Sequence, residues 1–123
     1  MNTEVKQLWI DALLSGEYPQ GRNALRNTYE GRDNFCCLGV LCDLYQKEHP
    51  ETKWEYVDWQ DKWFFDDGGE RKEGVPTGVV YDWAGLDEVV PVVSYRGVKD
   101  ALAVLNDRGV SFAEIAQIIE EQL

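Results

Sequence analysis

One histidine, His49, and three cysteines without a CxxC spacing leave the chain short of the ligand sets that build a zinc site or a dithiol redox centre. No metal and no cofactor is expected. Basic residues are scarce: 12 Lys and Arg stand against 23 Asp and Glu, a net charge of −11 that repels a polyphosphate backbone unless arginines cluster locally. DNA and RNA are thereby disfavoured as partners. No apolar stretch approaches the roughly 20 residues that span a bilayer. Residues 1–15 form an amphipathic pattern with acidic residues, not the basic start and apolar run of a signal peptide. The expectation is a cytoplasmic protein with no membrane partner. Cys36, Cys37 and Cys42 are odd in number and crowded together, whereas a secreted framework spreads its pairs along the chain, so free thiols are expected. There is no internal repeat and no low-complexity segment. A length of 123 residues suits one domain, 1–123.

What is present divides into recognisable elements. Val5, Leu8, Trp9, Ala12 and Leu13 recur at helical spacing, with Asn2 or Thr3 as cap and Gly16 at the end. Residues 17–34 are rich in Gly, Asn and Arg, which predicts a long loop or a short irregular hairpin around 24–29. Helical periodicity returns from Cys37 through Leu38, Leu41, Leu44 and Tyr45 and stops at His49-Pro50. Residues 53–71 alternate aromatic and polar side chains before Asp66-Asp67-Gly68-Gly69, the pattern of an antiparallel hairpin. A short helix with Pro76 at its first position is expected to run to Gly85, and the β-branched run 89–95 is a candidate edge strand. Val98, Ala101, Leu102 and Leu105 read as one helical face. Asn106-Asp107-Arg108-Gly109 breaks it, and Ser111 with Glu114 forms a capping box for a last helix, making an αα-hairpin. Glu120 and Glu121 at the negative end of that helix predict fraying. The fold class is therefore α+β, with about four helices around a small, aromatic-rich antiparallel sheet.

Residues 35–44, FCCLGVLCDL, put three cysteines, a glycine and a carboxylate into an otherwise apolar decapeptide. A thiolate would be favoured at a helix start, where Cys36 or Cys37 falls, but His49 lies beyond the far end of the same helix. Buried cysteine is the commoner fate. Gly39 would let another backbone or a ligand approach the helix closely, with tight helix packing the favoured use. Asp43 reads first as part of a solvated helix face, and on the edge of the buried face it would also suit an acceptor for an arginine or for a ligand amide or hydroxyl. Just before this block, Arg22, Arg26 and Arg32 gather with Tyr18, Gln20, Asn23 and Tyr29, a set of guanidinium forks and rings suited to a phosphate and a base. Pairing with Glu17, Glu30 and Asp33 would account for the same arginines. Trp54, Trp59, Trp63 and Trp83 suit a stacking platform or, in a domain this small, the core itself. The Gly109 to Ala116 stretch has the look of the first part of a helix-turn-helix. No recognition helix follows, so a structural αα-hairpin is expected.

Trp9, Ala12-Leu13, Ser15-Gly16, Tyr18, Gln20, the block 35–44, Trp83-Ala84-Gly85-Leu86 and Leu105-Asn106-Asp107 with Gly109, Ser111 and Phe112 resemble a group of small, mostly uncharacterised bacteriophage and bacterial proteins. The resemblance implies a phage accessory protein acting in the cytoplasm of the bacterial host, and it supplies no catalytic assignment. By analogy with small phage proteins that capture nucleotide signals of bacterial immunity, the leading expectation is a non-enzymatic sponge for a small anionic nucleotide. Tyr18, Gln20, Arg22, Arg26 and Arg32 would hold phosphate and ribose, Trp54, Trp59 or Trp83 the base, and Asp43 a ligand donor. Completion of the pocket across a homo-oligomer is compatible with this. The alternatives are an acidic inhibitor of a host protein and a cysteine-dependent hydrolase.

Overall fold

In the computed structural model, which describes residues 1–88 and 90–123, five helices and seven strands form an α+β fold with one continuous buried cluster. Helix α1 is Thr3–Leu14, capped by Asn2, whose Oδ1 accepts from the Val5 N–H at 3.0 Å. It buries Val5, Trp9, Ile10 and Leu13, while Leu8, expected in the stripe, is 42 % exposed. Strands β1 (Arg26–Tyr29) and β2 (Arg32–Phe35) then form a hairpin, and helix α2, Cys37–Glu48, follows directly. Strands β3 (Lys53–Val57), β4 (Lys62–Asp66) and β5 (Arg71–Lys72) make an antiparallel three-stranded sheet, and helix α3 is Gly78–Ala84. Strands β6 (Val92–Tyr95) and β7 (Val98–Ala101) form a third small sheet before α4 (Leu102–Asp107) and α5 (Phe112–Gln122). The aromatic-rich sheet expected from 53–71 is the β3–β4–β5 unit, one of three sheets.

Several boundaries differ from the sequence reading for local physical reasons. The first hairpin is regular and spans 26–35, its two-residue turn made by Glu30 and Gly31 at φ 52° and 77°. This is the left-handed pairing that matches strand twist, supplied by Glu-Gly where Asn-Gly is the usual signal. Arg96 and Gly97, at φ 52° and 82°, build the same turn between β6 and β7. That turn folds residues 98–101 back onto β6, so the face read as helical from Val98 starts only at Leu102, and Val98 is 63 % exposed. Of the run 89–95, residues 92–95 form β6; Val89 lies outside the described residues. Pro76 stands one position before the Thr77 cap of α3 instead of opening the helix. The last turn of α5 is tied down: Lys6 Nζ donates to the Glu120 carbonyl at 3.0 Å, and the Gln122 amide bonds both the N–H and the C=O of Ser94. A cation and a strand edge thus offset the two glutamates whose charges argued for fraying.

Helix α2 is the centre of the molecule, with Cys37, Leu38, Val40, Leu41 and Cys42 fully buried and α1, α3, α4 and β2 packed against it. Cys36 caps it, Sγ accepting from the Gly39 N–H at 3.3 Å, and the Trp9 indole N–H donates to the Cys37 carbonyl at 2.9 Å. Gly39 has no room for a side chain: a Cβ there would sit 1.7 Å from the Leu25 carbonyl oxygen. That carbonyl accepts from the Cys36 N–H, and the Leu25 N–H donates to Glu73, so the backbone at Leu25 is fixed on both sides. Gly39→Ala is expected to destabilise by at least the upper end of the roughly 1–3 kcal/mol usual for overpacking. An unchanged urea midpoint in the folded variant would contradict the close approach.

Candidate functional site

The residues singled out between positions 18 and 83 fall into one cluster and several outliers. In the cluster, Asp43 on α2 accepts from the Tyr18 hydroxyl at 2.5 Å and from the Trp54 indole N–H at 3.0 Å. Lys47, one turn on, donates to the Tyr18 oxygen at 3.0 Å and stands 3.8 Å from Asp43. Burial first, and then the bond to Asp43, push the Tyr18 phenol well above its ordinary pKa. It is a donor and stays one. Asp43, expected on a solvated helix face, is instead only 15 % exposed and forms a junction between α2, β3 and the segment after α1, with each of its oxygens engaged.

Arg26 completes the cluster from β1. Its guanidinium lies 3.8 Å from the Trp63 ring centre and 5.4 and 5.5 Å from those of Phe35 and Trp54, and Nη2 bonds Asp33 Oδ2 at 2.6 Å. The side chain is only 16 % exposed. Its Nε is buried without a hydrogen-bond partner, and the ring faces are the negative surfaces that stand against the cation there. Thr28 supports the pair by donating to Asp33 Oδ1 at 2.7 Å and accepting from the Trp63 indole N–H at 2.9 Å, which joins the first hairpin to β4. From this cage a chain of edge-to-face rings runs Tyr18, Phe35, Trp54, Phe65, Tyr45, Trp83, with successive centroids 5.2, 5.9, 5.3, 6.3 and 5.3 Å apart. Trp54 and Trp83 are thus links in a packed array. Trp83 also meets His49, whose ring stacks on Tyr45 at 3.9 Å.

Gln20 and Arg22 lie elsewhere, along the turn between α4 and α5. Gln20 Nε2 donates to Asn106 Oδ1 and to the Val110 carbonyl, and its Oε1 accepts from the Phe112 N–H. Asn106 is wholly buried: Oδ1 also accepts from the Cys37 N–H, and Nδ2 donates to the Gly21 carbonyl at 2.8 Å. These bonds answer the polar atoms of a buried amide, so Gln20 and Asn106 hold the loop to the carboxyl-terminal hairpin. Arg32 and Trp59 sit on the two neighbouring hairpins, both exposed. The sequence reading singled out none of Thr28, Asp33, Lys47 and Asn106 as functional. Lys47 was legible as the i+4 partner of Asp43, whereas Asn106 becomes visible only once segments 85 residues apart are brought together.

Cys36 and Cys37 occupy the helix start as expected and Cys42 lies mid-helix, yet burial pushes the Cys36 thiol up to about 11 and those of Cys37 and Cys42 well above their ordinary range. Such thiols carry little thiolate at neutral pH. Among the described residues no three of His, Cys, Asp and Glu converge as metal ligands, and no helix is long and apolar enough to cross a membrane.

Fold and cluster together define a small α+β protein whose aromatic and charged groups brace two neighbouring hairpins. The chain belongs to the family described as a domain of unknown function, DUF8296, whose model matches residues 1–123. No curated protein and no solved structure matches it.

A thiol reagent at pH 8 is expected to modify none of the three cysteines in the native protein within minutes and all three in denaturant; rapid labelling of Cys36 in the folded state would restore the hydrolase reading. Asp33 supplies a pH test. Burial alone would raise its carboxyl, but the bonds from Thr28 and Arg26 together outweigh burial and hold it below its ordinary value. Its contribution is therefore present above the unfolded pKa of about 4 and is lost as pH falls through the lower folded value. Urea midpoints should drop more between pH 7 and pH 3 in the wild type than in Asp33→Asn. Equal drops would remove the assignment.

Proposed function

We propose that the chain is a non-enzymatic binding protein, of the phage accessory kind, that docks on a basic protein surface through its two neighbouring hairpins. One observation carries the reading: Trp59, in the β3–β4 turn, is 80 % exposed, and Tyr29, at the end of β1, is 71 % exposed. Large aromatic side chains held in water at two joined hairpins are the residue types in which interfaces concentrate their binding energy. Glu30, Asp58 and Asp61 flank them, so the complementary surface is basic. A non-enzymatic role is supported by the groups that could do chemistry: the thiols are buried, and Asp43 and Tyr18 are bonded to each other.

The second reading, sequestration of a small anionic nucleotide, is favoured by Arg22 and Arg32, which form no ion pair among the described residues. Arg32 stands directly across the strand pair from Tyr29. Arg26, by contrast, already has Asp33 as its anion.

The two separate in one experiment. Protein recovered from host lysate is analysed for bound proteins and, after denaturation, for released small molecules by mass spectrometry. Stoichiometric retention of one basic protein, weakened roughly tenfold or more by Tyr29→Ala with Trp59→Ala, supports docking. Retention of an intact nucleotide instead, lost in Arg32→Gln, supports sequestration and overturns docking. Recovery of a chemically altered ligand overturns both.

A further inference from the structure

On a second face of the molecule, three of the chain's six arginines come together from distant parts of the sequence. Arg96, in the β6–β7 turn, and Arg108, at the end of α4, line one hollow of about 420 Å³ against Gly109 and Ser111. The guanidinium of Arg22 rests on Gly109, since a Cβ at that glycine would lie 3.0 Å from Arg22 Nη2. A second hollow of about 290 Å³ adjoins it, sharing Tyr95, Arg96 and Glu114 and adding Gln117, Ile118 and Glu121. Tyr95 therefore stands between a compartment that holds two arginines and one walled by Ile118, the Gln117 amide and the Glu121 carboxylate, with Glu114 common to both.

Of the carboxylates nearby, Asp100 is paired with a cation, while Glu114 and Glu121 accept from the neutral Tyr95 hydroxyl and Gln117 amide and keep their charge. Asp100 Oδ2 takes Arg108 Nη1 at 2.7 Å, and Glu114 Oε2 accepts from the Tyr95 hydroxyl at 3.0 Å. Ser111 caps α5 through the Glu114 N–H at 3.2 Å, but the Glu114 side chain turns to Tyr95 instead of closing a capping box. Arg96 lies over the Tyr95 ring, 5.2 Å from its centre, and makes no ion pair among the described residues. On a chain of net charge −11, an exposed arginine without a carboxylate partner is the unusual feature.

We propose that these adjoining hollows bind a small phosphorylated molecule carrying a planar ring, with the phosphates against Arg96 and Arg108, Arg22 adding positive charge from beside Gly109, and the ring against Tyr95 and Ile118. A nucleoside diphosphate is the simplest ligand of this class. Arginine forks match phosphate oxygens, and an aromatic face accommodates a base. The site is independent of the hairpin face and shares only Arg22 with the residues read from sequence as ligand-binding.

The probes are pyrophosphate, adenosine and ADP, followed by calorimetry and by backbone amide shifts at Gly109, Ser111 and Gln117. ADP is expected to bind most tightly, pyrophosphate less so and adenosine weakest, with affinity falling as salt rises. Arg96→Asn keeps a residue suited to the left-handed turn, so it should fold normally and bind ADP at least about tenfold more weakly. Arg32→Gln, on the first hairpin, should leave ADP binding unchanged. The proposal is overturned if millimolar pyrophosphate shifts none of these amides, or if Arg96→Asn and Arg32→Gln bind ADP alike. ADP binding no tighter than pyrophosphate would remove the ring assignment. Neither result bears on Trp59 and Tyr29, so failure here and failure of the hairpin reading are separately visible.

Discussion

The contact on which the rest depends is the seat of the Leu25 carbonyl on Gly39. The missing side chain lets the backbone of the arginine-bearing segment lie directly on the central helix, and the Cys36 N–H and the Glu73 carbonyl hold it there. Arg26 then leaves that anchor at a fixed height and enters the ring cage, where Asp33 meets it. Displacing Leu25 would move the first hairpin, the cage and the Trp63–Thr28 bond as one body. The FCCLGVLCDL block therefore contributes through what it omits at Gly39 as much as through the apolar side chains around it.

How far the fold could be read from sequence depended on whether a signal was local. The periodicity of α1, α2 and α5, the Asn2 and Ser111 caps and the aromatic alternation of β3 and β4 each lie within a few residues, and each element formed where that pattern put it. The β6–β7 hairpin was missed in part because Val98, Ala101, Leu102 and Leu105 satisfy a helical spacing, while the deciding feature is a left-handed Arg96-Gly97 turn. Within the candidate site, Tyr18, Arg26, Asp43 and Trp54 were legible as a neighbourhood, since Asp43 sits on the helix that the loop must cross. That Gln20 faces Asn106, or that Arg96 and Arg108 share a hollow while Arg22 rests beside Gly109, depends on tertiary placement that no local pattern encodes.

Charge is distributed with a purpose visible only in three dimensions. The closest ion pair within the cluster, Arg26 with Asp33, has its guanidinium enclosed by rings while its carboxylate stays 40 % exposed, so water screens it from one side only. The two hairpins built on the same left-handed turn carry opposite charges at the same turn position, Glu30 in one and Arg96 in the other. An acidic chain thus keeps one exposed turn that attracts anions and another that repels them.

The Asn106 knot also sets an order of events. Its partners lie 69 to 86 residues away in the chain, and Gln20 reaches Phe112 across 92. Closing loops of that length costs entropy that only the finished core repays. The segment 20–23 can form its bonds to Phe35 and Asn27 together with the first hairpin, whereas its bonds to Asn106 and Phe112 wait for the last two helices. Arg22 reaches its place only where Gly109 is folded beneath it, so any binding surface that includes it depends on the turn between α4 and α5.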